Sequence, residues 1–458
     1  MAKNKNNYEF DLVVIGSGAG GSAAATIAAR EGKRVALIEA DTFGGTSANF
    51  GDVPIKALLH AAKVYDEAKH GQTFGIRSGA VGYNYPSVKA WKETVVKRTG
   101  AGGNERYYKN EGIAVFHGLA HMISPHEVSV NRRHITGDHI LIATGSHWAL
   151  PQIHGIEKAK YLTPRTALNI LRPPRSLFII GGGSVGLEFA QLFSSFGSKV
   201  YVSEIAPRFL PKEDEEVGEL IERTLHEQKG VTPLTQTRVM KVAKEGIVKR
   251  VTYVRGSTEH SVKVDEILIA AGKVPTVDLG LENAGVEYTP KGVETNEYLQ
   301  TSSKNIFAAG DVLGEHMLTH AALLESRIAA HNIFNKHKLE PSYKAVPRIT
   351  YVAPEVASVG LGEDDCIKRD LTYKKAIAPL NIIGRSNIAN VRDGFVKVIT
   401  DKKGILIGAT VVAPHAGEII HELTLAIQND LHAQDVASTI HAFPSWSEAV
   451  RVACAKIK

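Results

Sequence analysis

Twice in this chain a short apolar run feeds a glycine turn, a helix and a second apolar strand that ends on a glutamate. The first copy is the run Phe10 to Ile15, the turn Gly16-Ser17-Gly18-Ala19-Gly20-Gly21, an alanine-rich helix to Arg30, and the strand Arg34 to Ile38 ending at Glu39. The second is the strand Ser176 to Ile180, the turn Gly181-Gly182-Gly183-Ser184-Val185-Gly186, a helical stretch Leu187 to Phe196, and the strand Lys199 to Ser203 ending at Glu204. Short continuous apolar runs of this kind read as parallel strands buried on both faces. The pattern therefore predicts an α/β chain with two Rossmann-like units.

The spacing of the glycines carries the chemistry. Residues 16, 18 and 21, and again 181, 183 and 186, permit a tight turn, let a pyrophosphate approach the backbone, and let helix pack on strand. The phosphate would sit at the helix N-terminus, where free N–H groups and the dipole favour an anion. Glu39, about 20 residues further on, is placed to accept from a ribose hydroxyl. In the second copy Glu204 accepts from a free 2′-hydroxyl and repels a 2′-phosphate, so NAD(H) is expected over NADP(H). Arg208, close beyond it, softens that preference.

Length and composition bound the rest. At 458 residues the chain is too long for one core, and its 43% hydrophobic and 22% charged residues are those of a soluble globular protein. No apolar run approaches the roughly 20 residues of a membrane helix. The polar start, Met1 to Phe10, and the brief apolar run after it do not make a signal peptide. Cys366 and Cys454 stand far apart without metal or C-x-x-C spacing, which suits a reducing cytoplasm. The net charge of +6 comes from scattered lysines and arginines with no run of five, so a solvated surface is expected rather than a nucleic-acid partner.

Between the two units lies Gly44-Gly45-Thr46-Ser47-Ala48-Asn49-Phe50-Gly51-Asp52-Val53-Pro54-Ile55-Lys56-Ala57-Leu58. This stretch resembles the redox-loop signature of the class I pyridine nucleotide-disulfide oxidoreductases, the family of dihydrolipoamide dehydrogenase, glutathione reductase and mercuric reductase. Ile142 to Ser146, Ile267 to Gly272, Ile306 to Asp311, Met317 to Ala322, Pro347 to Gly360 and Gly408 to Glu422 resemble other segments of that family, in its order. The resemblance runs from Asp11 to Val450. It implies an FAD-binding domain in two segments, 1–149 and 273–345, an NAD-binding domain at 150–272 entered through the loop Ser146 to Gly155, and an α+β dimerisation domain at 346–458. A two-fold homodimer with isologous contacts follows from such a domain.

The same resemblance assigns site residues. Gly16, Gly18, Gly21, Glu39, Gly45, Thr46, Lys56, Thr144, Gly145, Gly310, Asp311 and His320 would bind FAD, with Asp311 on the ribityl chain and His320 contributing its backbone. Gly181, Gly183, Gly186, Glu188, Glu204 and Gly272 would bind NAD. Lys56 would pair with Glu188 beside the reactive flavin nitrogen, and Asp52 would add a second carboxylate, its pKa raised by burial and lowered by Lys56. Lys56, Glu188 and Asp52 are thus the candidate catalytic residues.

Three positions depart from the family pattern. Ser47 and Asp52 stand where the two redox cysteines would be, and neither can form a disulfide. In His441-Ala442-Phe443-Pro444-Ser445-Trp446-Ser447-Glu448 the position of the catalytic histidine is Phe443, whose ring carries no proton. His441 is expected to be structural, and Cys454 alone is a poor metal chelator. All three losses belong to thiol-disulfide exchange. The expected function is an FAD-dependent NAD(P)H oxidoreductase that passes hydride from NADH to flavin and electrons to a non-disulfide small-molecule acceptor such as a quinone, a dye, oxygen or a carrier. Alternatives are a soluble pyridine nucleotide transhydrogenase and a flavin- and NAD-binding sensor module without turnover.

Overall fold

The computed structural model describes residues 8–77, 79–100 and 105–458. It divides into two compact units. One comprises Met1–Ala57, Lys89–Ala149 and Gly272–Ser342, the other Leu58–Val88, Leu150–Ala271 and Tyr343–Lys458.

In the first unit a parallel sheet places Ala114–His117, Val35–Glu39, Phe10–Ile15, Arg133–Ile142 and Ile306–Ala308 side by side in that order. Leu12, Val13, Val14, Leu37 and Ile140 have no accessible surface. Strands buried on both faces need apolar residues at consecutive positions, which is why these runs do not alternate. The helices Ala19–Arg30 and Thr319–Phe334 pack on each other, and Ser326 Oγ accepts the Ala24 N–H at 3.0 Å. Two antiparallel strands, Ala120–Ser124 and Glu127–Val130, extend the start of Arg133–Ile142.

The second unit repeats the first motif. Thr232–Leu234, Lys199–Ser203, Ser176–Ile180 and Glu266–Ile269 form a parallel sheet, and the antiparallel strands Thr237–Glu245, Val248–Arg255 and Thr258–Val264 form a separate sheet. Its helix Ser184–Ser195 begins three residues before the expected stretch, because Gly183 is extended (ψ −179°) and serves as N-cap. Gly18 does the same for Ala19–Arg30 (ψ −171°). The C-terminal part of this unit is a five-stranded antiparallel sheet in the order Arg348–Thr350, Glu355–Gly360, Leu406–Ala413, Phe395–Asp401, Tyr373–Pro379. The helices Ala416–Gln428 and Glu448–Ala455 pack on it.

One stretch expected to be loop contains a strand. Ser146–Trp148 pairs antiparallel with Lys273–Pro275, so the chain's exit from the first unit and its return lie hydrogen-bonded together. Among the described residues, no helix is long and apolar enough to cross a membrane.

Candidate functional site

Both glycine turns are built alike, at the point where the strand order of each sheet reverses and ligands of doubly wound sheets bind. Gly16 has φ +102° and a side chain there would place Cβ 2.2 Å from the Ala143 carbonyl oxygen. Gly181, at φ +116°, would meet the Ala270 oxygen at 2.4 Å. The third glycine of each turn, Gly21 or Gly186, would put Cβ at 2.0 or 1.9 Å from the carbonyl oxygen of the first. The middle glycines differ: nothing but the Gly45 Cα, at 3.8 Å, lies near Gly18, and nothing within 4 Å near Gly183. The space a Cβ would fill is therefore open at the start of each helix, which is the fit a dinucleotide pyrophosphate requires.

The acids are duplicated as well. Glu39 Oε2 accepts from the Ser17 N–H at 2.9 Å and the Ser17 hydroxyl at 2.6 Å, and Oε1 accepts from the Asp41 N–H at 2.8 Å. Glu204 Oε2 accepts from the Gly182 N–H at 2.8 Å, and Oε1 from the Ala206 N–H at 2.9 Å. Each carboxylate is thus anchored across its own turn, with lone pairs left for a ribose hydroxyl. Arg208 is engaged elsewhere, donating to Asp364 Oδ2 at 2.9 Å.

Other predicted FAD residues of the first unit cluster at the ends of the same strands. Gly45 has φ +69°, and a side chain there would come within 2.5 Å of Gly18 Cα, so the stretch from Gly44 onward lies against the first turn. The Thr46 carbonyl accepts the Phe50 N–H at 2.7 Å, closing the short helix Gly45–Asn49. Thr144 Oγ1 donates to the Thr276 carbonyl, and the Gly145 carbonyl accepts the Thr276 N–H. The Gly310 N–H donates to Glu325, a carboxylate only 2% exposed, at 2.7 Å. Asp311 Oδ2 accepts from the Ser146 hydroxyl at 2.6 Å and from Lys273 Nζ at 3.1 Å. Gly272, assigned above to NAD, belongs to the first unit, and its carbonyl accepts the Ala149 N–H. His320 is exposed near the start of its helix.

Ser47 and Asp52 are brought together by a residue that sequence reasoning missed. Thr319, the first residue of the helix Thr319–Phe334, lies 2.6 Å from Ser47 Oγ and donates to Asp52 Oδ2 at 2.9 Å. Lys56 Nζ lies 3.2 Å from Asp52 Oδ1, one helical turn along Asp52–Lys69. Partial burial pushes the Asp52 carboxyl up, but the Lys56 charge and the hydrogen bonds from Thr319 and Lys56 outweigh it and hold the pKa below the ordinary carboxylate value. Asp52 is therefore an anion at neutral pH. The only available signal for Thr319 was its place, as a hydroxyl residue, within the quoted segment Met317 to Ala322.

In the second unit Glu188 is 1% exposed, and its Oε1 accepts the Tyr351 N–H at 3.1 Å. On the same helix Ser184 Oγ lies 2.7 Å from Thr350 Oγ1 and Gln191 Oε1 accepts the Ala353 N–H at 2.6 Å. Positions 184, 188 and 191 share one helical face, so Glu188 helps seat segment 350–353. Phe443 is 80% exposed, whereas the His441 side chain is 5% exposed with Nε2 2.9 Å from Glu422 Oε1, an ion-pair distance outside hydrogen-bond geometry. Glu448 Oε2 accepts the Ser445 N–H. Both cysteines are buried free thiols. Burial, with the Glu422 charge adding, pushes Cys454 up to about 12, and burial likewise raises Cys366, so neither is a reactive thiolate.

Known proteins match this architecture along its whole length. Residues 10–326 match the pyridine nucleotide-disulphide oxidoreductase family, and residues 346–454 match that family's dimerisation domain, which supports a homodimer. The chain is 35% identical over 457 residues to dihydrolipoyl dehydrogenase 2, mitochondrial, of Arabidopsis thaliana, covering 97% of this chain and 89% of that one. It is 31% identical to a mercuric reductase of Bacillus cereus, covering 98% of this chain and 72% of the relative. Among solved structures, the HOCl-induced flavoprotein disulfide reductase RclA from Escherichia coli superposes with a TM-score of 0.86 at 28% identity, covering 98% of this chain and 100% of that one. Two intact nucleotide turns, the C-terminal sheet and these matches place the chain in the pyridine nucleotide-disulphide oxidoreductase family, whose members are FAD-dependent oxidoreductases that use NAD(H).

Proposed function

We propose that this protein is an NADH-dependent flavoprotein oxidoreductase whose electrons end on a small acceptor other than a disulfide, such as a quinone, a dye, oxygen or a carrier. The observation that carries this reading is the pairing of Ser47 with Asp52 through Thr319, at the two positions the family resemblance gives to a redox-active disulfide. The chain's two cysteines are buried thiols elsewhere, and the position of the family's catalytic histidine is the exposed Phe443. FAD, when bound, supplies the two-electron chemistry between nicotinamide and acceptor.

The residues divide the remaining work. The turns at 16–21 and 181–186 hold the two pyrophosphates, and Glu39 and Glu204 hold the riboses. Thr144, Gly145, Gly310 and Asp311 shape the FAD site, while Lys56 and Asp52 contribute an ion pair to it. Glu188 supports the second site from a buried position. Buried thiols fit a reducing compartment such as the cytoplasm.

The anchored Glu204 and the engagement of Arg208 by Asp364 favour NADH over a transhydrogenase that must also take NADPH. Replacing Glu204 by Ala is expected to raise the ratio of kcat/KM for NADPH to that for NADH by on the order of tenfold, as the repulsion of one charge is removed. An unchanged ratio would detach Glu204 from cofactor choice.

Anaerobic addition of NADH tests the whole reading. The flavin absorbance should bleach and return when a quinone is added, whereas dihydrolipoamide with NAD⁺ should give no turnover. Turnover of the dithiol would overturn the assignment. Absence of bleaching with both nucleotides bound would leave a binding module without turnover.

A further inference from the structure

Ser47, Thr319 and Asp52 come from three helices, and 267 residues separate Asp52 from Thr319. Their hydrogen bonds have a direction that proton counting decides. A hydroxyl has one proton and two lone pairs, and an ionised carboxylate only accepts. Thr319 gives its proton to Asp52 Oδ2, so at 2.6 Å it accepts from Ser47. Protonating Asp52 at Oδ2 reverses the order. Asp52 then donates to Thr319 and Thr319 to Ser47, and the Ser47 proton is turned outward.

We infer that Thr319 is a positioning residue that joins Asp52 and Ser47 into a proton relay, delivering at Ser47 Oγ a proton taken up by Asp52. The inference rests on the function proposed above, because reducing a quinone-type acceptor with one hydride requires one further proton: NADH, H⁺ and quinone give NAD⁺ and hydroquinone. In the relay the O–H bond of Asp52 breaks, each hydroxyl passes its own proton on, and the new O–H bond forms on the acceptor oxygen, returning Asp52 to carboxylate. Recharging Asp52 takes the one further proton of that balance from solvent. Lys56, the charged group facing it from its own helix, occupies the other oxygen and leaves Oδ2 to Thr319. From the neighbouring helices it meets the hydroxyls of Ser47 and Thr319, the latter followed by the exposed His320.

The test compares Thr319→Val, which keeps the shape and loses the hydroxyl, with Thr319→Ser, which keeps the hydroxyl. Protein reduced with NADH without air is mixed with a water-soluble benzoquinone in H₂O and in D₂O. Thr319→Val is expected to slow reoxidation by roughly 100-fold and to lose the solvent isotope effect, as is Asp52→Asn, while Thr319→Ser keeps both near wild type. Equal rates and isotope effects in the Val and Ser variants would overturn the relay. Infrared titration of the Asp52 carboxyl in the unreacted protein gives a second reading. Loss of the Thr319 donor should raise its midpoint in the Val variant alone, and a common midpoint in all forms would overturn the proposal. Failure of wild-type protein to bleach with NADH would instead strike the proposed function, and the infrared titration would still decide the hydrogen-bonded chain.

Discussion

Gly186→Val should yield a yellow protein that NADH reduces at least roughly 100-fold more slowly than wild type, because nucleotide misplaced by an ångström loses most of the benefit of orientation. A Cβ at residue 186 falls 1.9 Å from the Gly181 carbonyl oxygen, far inside van der Waals contact. Neither partner can yield cheaply. Gly181 is held by its own N–H to the Ser203 carbonyl at 2.8 Å, and its positive φ already excludes other residues. The helix Ser184–Ser195 must therefore shift away from the strand, carrying the start of the helix with it. Flavin retention should be spared, since the first turn is a separate structure. The reciprocal variant Gly21→Val, with its Cβ 2.0 Å from the Gly16 oxygen, should lose FAD on gel filtration. Flavin content and stopped-flow reduction measured on both variants check the assignment. If each variant lost the other's nucleotide, the two turns would have exchanged roles.

Lys397→Met should cost about 3–5 kcal/mol, the usual penalty for removing one partner of a buried ion cluster. Lys397 has no accessible surface and lies on the strand Phe395–Asp401. Its ammonium meets Asp214 Oδ2 at 2.9 Å, Glu216 Oε1 at 3.1 Å and Glu363, the first of these as an ion pair outside hydrogen-bond geometry. Without it, three carboxylates whose oxygens lie within 4.8 Å of one another would face each other with Lys375, 2.7 Å from Glu363 Oε2, left to offset them. The melting temperature should fall by roughly 5 °C or more, and retention of the wild-type value would show that the cluster contributes nothing. Burial alone would lower the lysine pKa, but the hydrogen bond it donates to Glu363 and the charges of Asp214 and Glu216 raise it to about 12. A group whose pKa is higher in the folded than in the unfolded chain stabilises fully below the unfolded value. This contribution should thus be complete below 10.5 and disappear as pH rises through about 12.

The nucleotide turns were legible because their constraints are local. A side chain at Gly21 or Gly186 would strike the carbonyl oxygen of the glycine five positions earlier, so spacing alone carries the requirement. Glu39 and Glu204 close the same units and anchor to the turns that precede them. Buried parallel strands likewise announce themselves as uninterrupted apolar runs. Less legible were residues whose role depends on a distant partner. Glu188 was read as a nucleotide-site acid, and in the fold it also accepts the Tyr351 N–H from a segment 163 residues away. The loop Ser146 to Gly155 contains a strand only because Lys273–Pro275 returns beside it. Lys397 reads as one more strand lysine until the three acids around it are seen.

From the amino-acid order alone came the two dinucleotide folds, the family, and the presence of Ser47 and Asp52 at the positions that the resemblance gives to redox cysteines. Those features are written in residue types and short spacings, which a linear chain displays directly. The tertiary structure alone decided that Ser47 and Asp52 are joined, through Thr319, and that Lys56 and the Thr319 hydroxyl hold Asp52 ionised. A hydrogen bond depends on separation in space, and a sequence separation of 272 positions hides that closeness until the helix Thr319–Phe334 has packed.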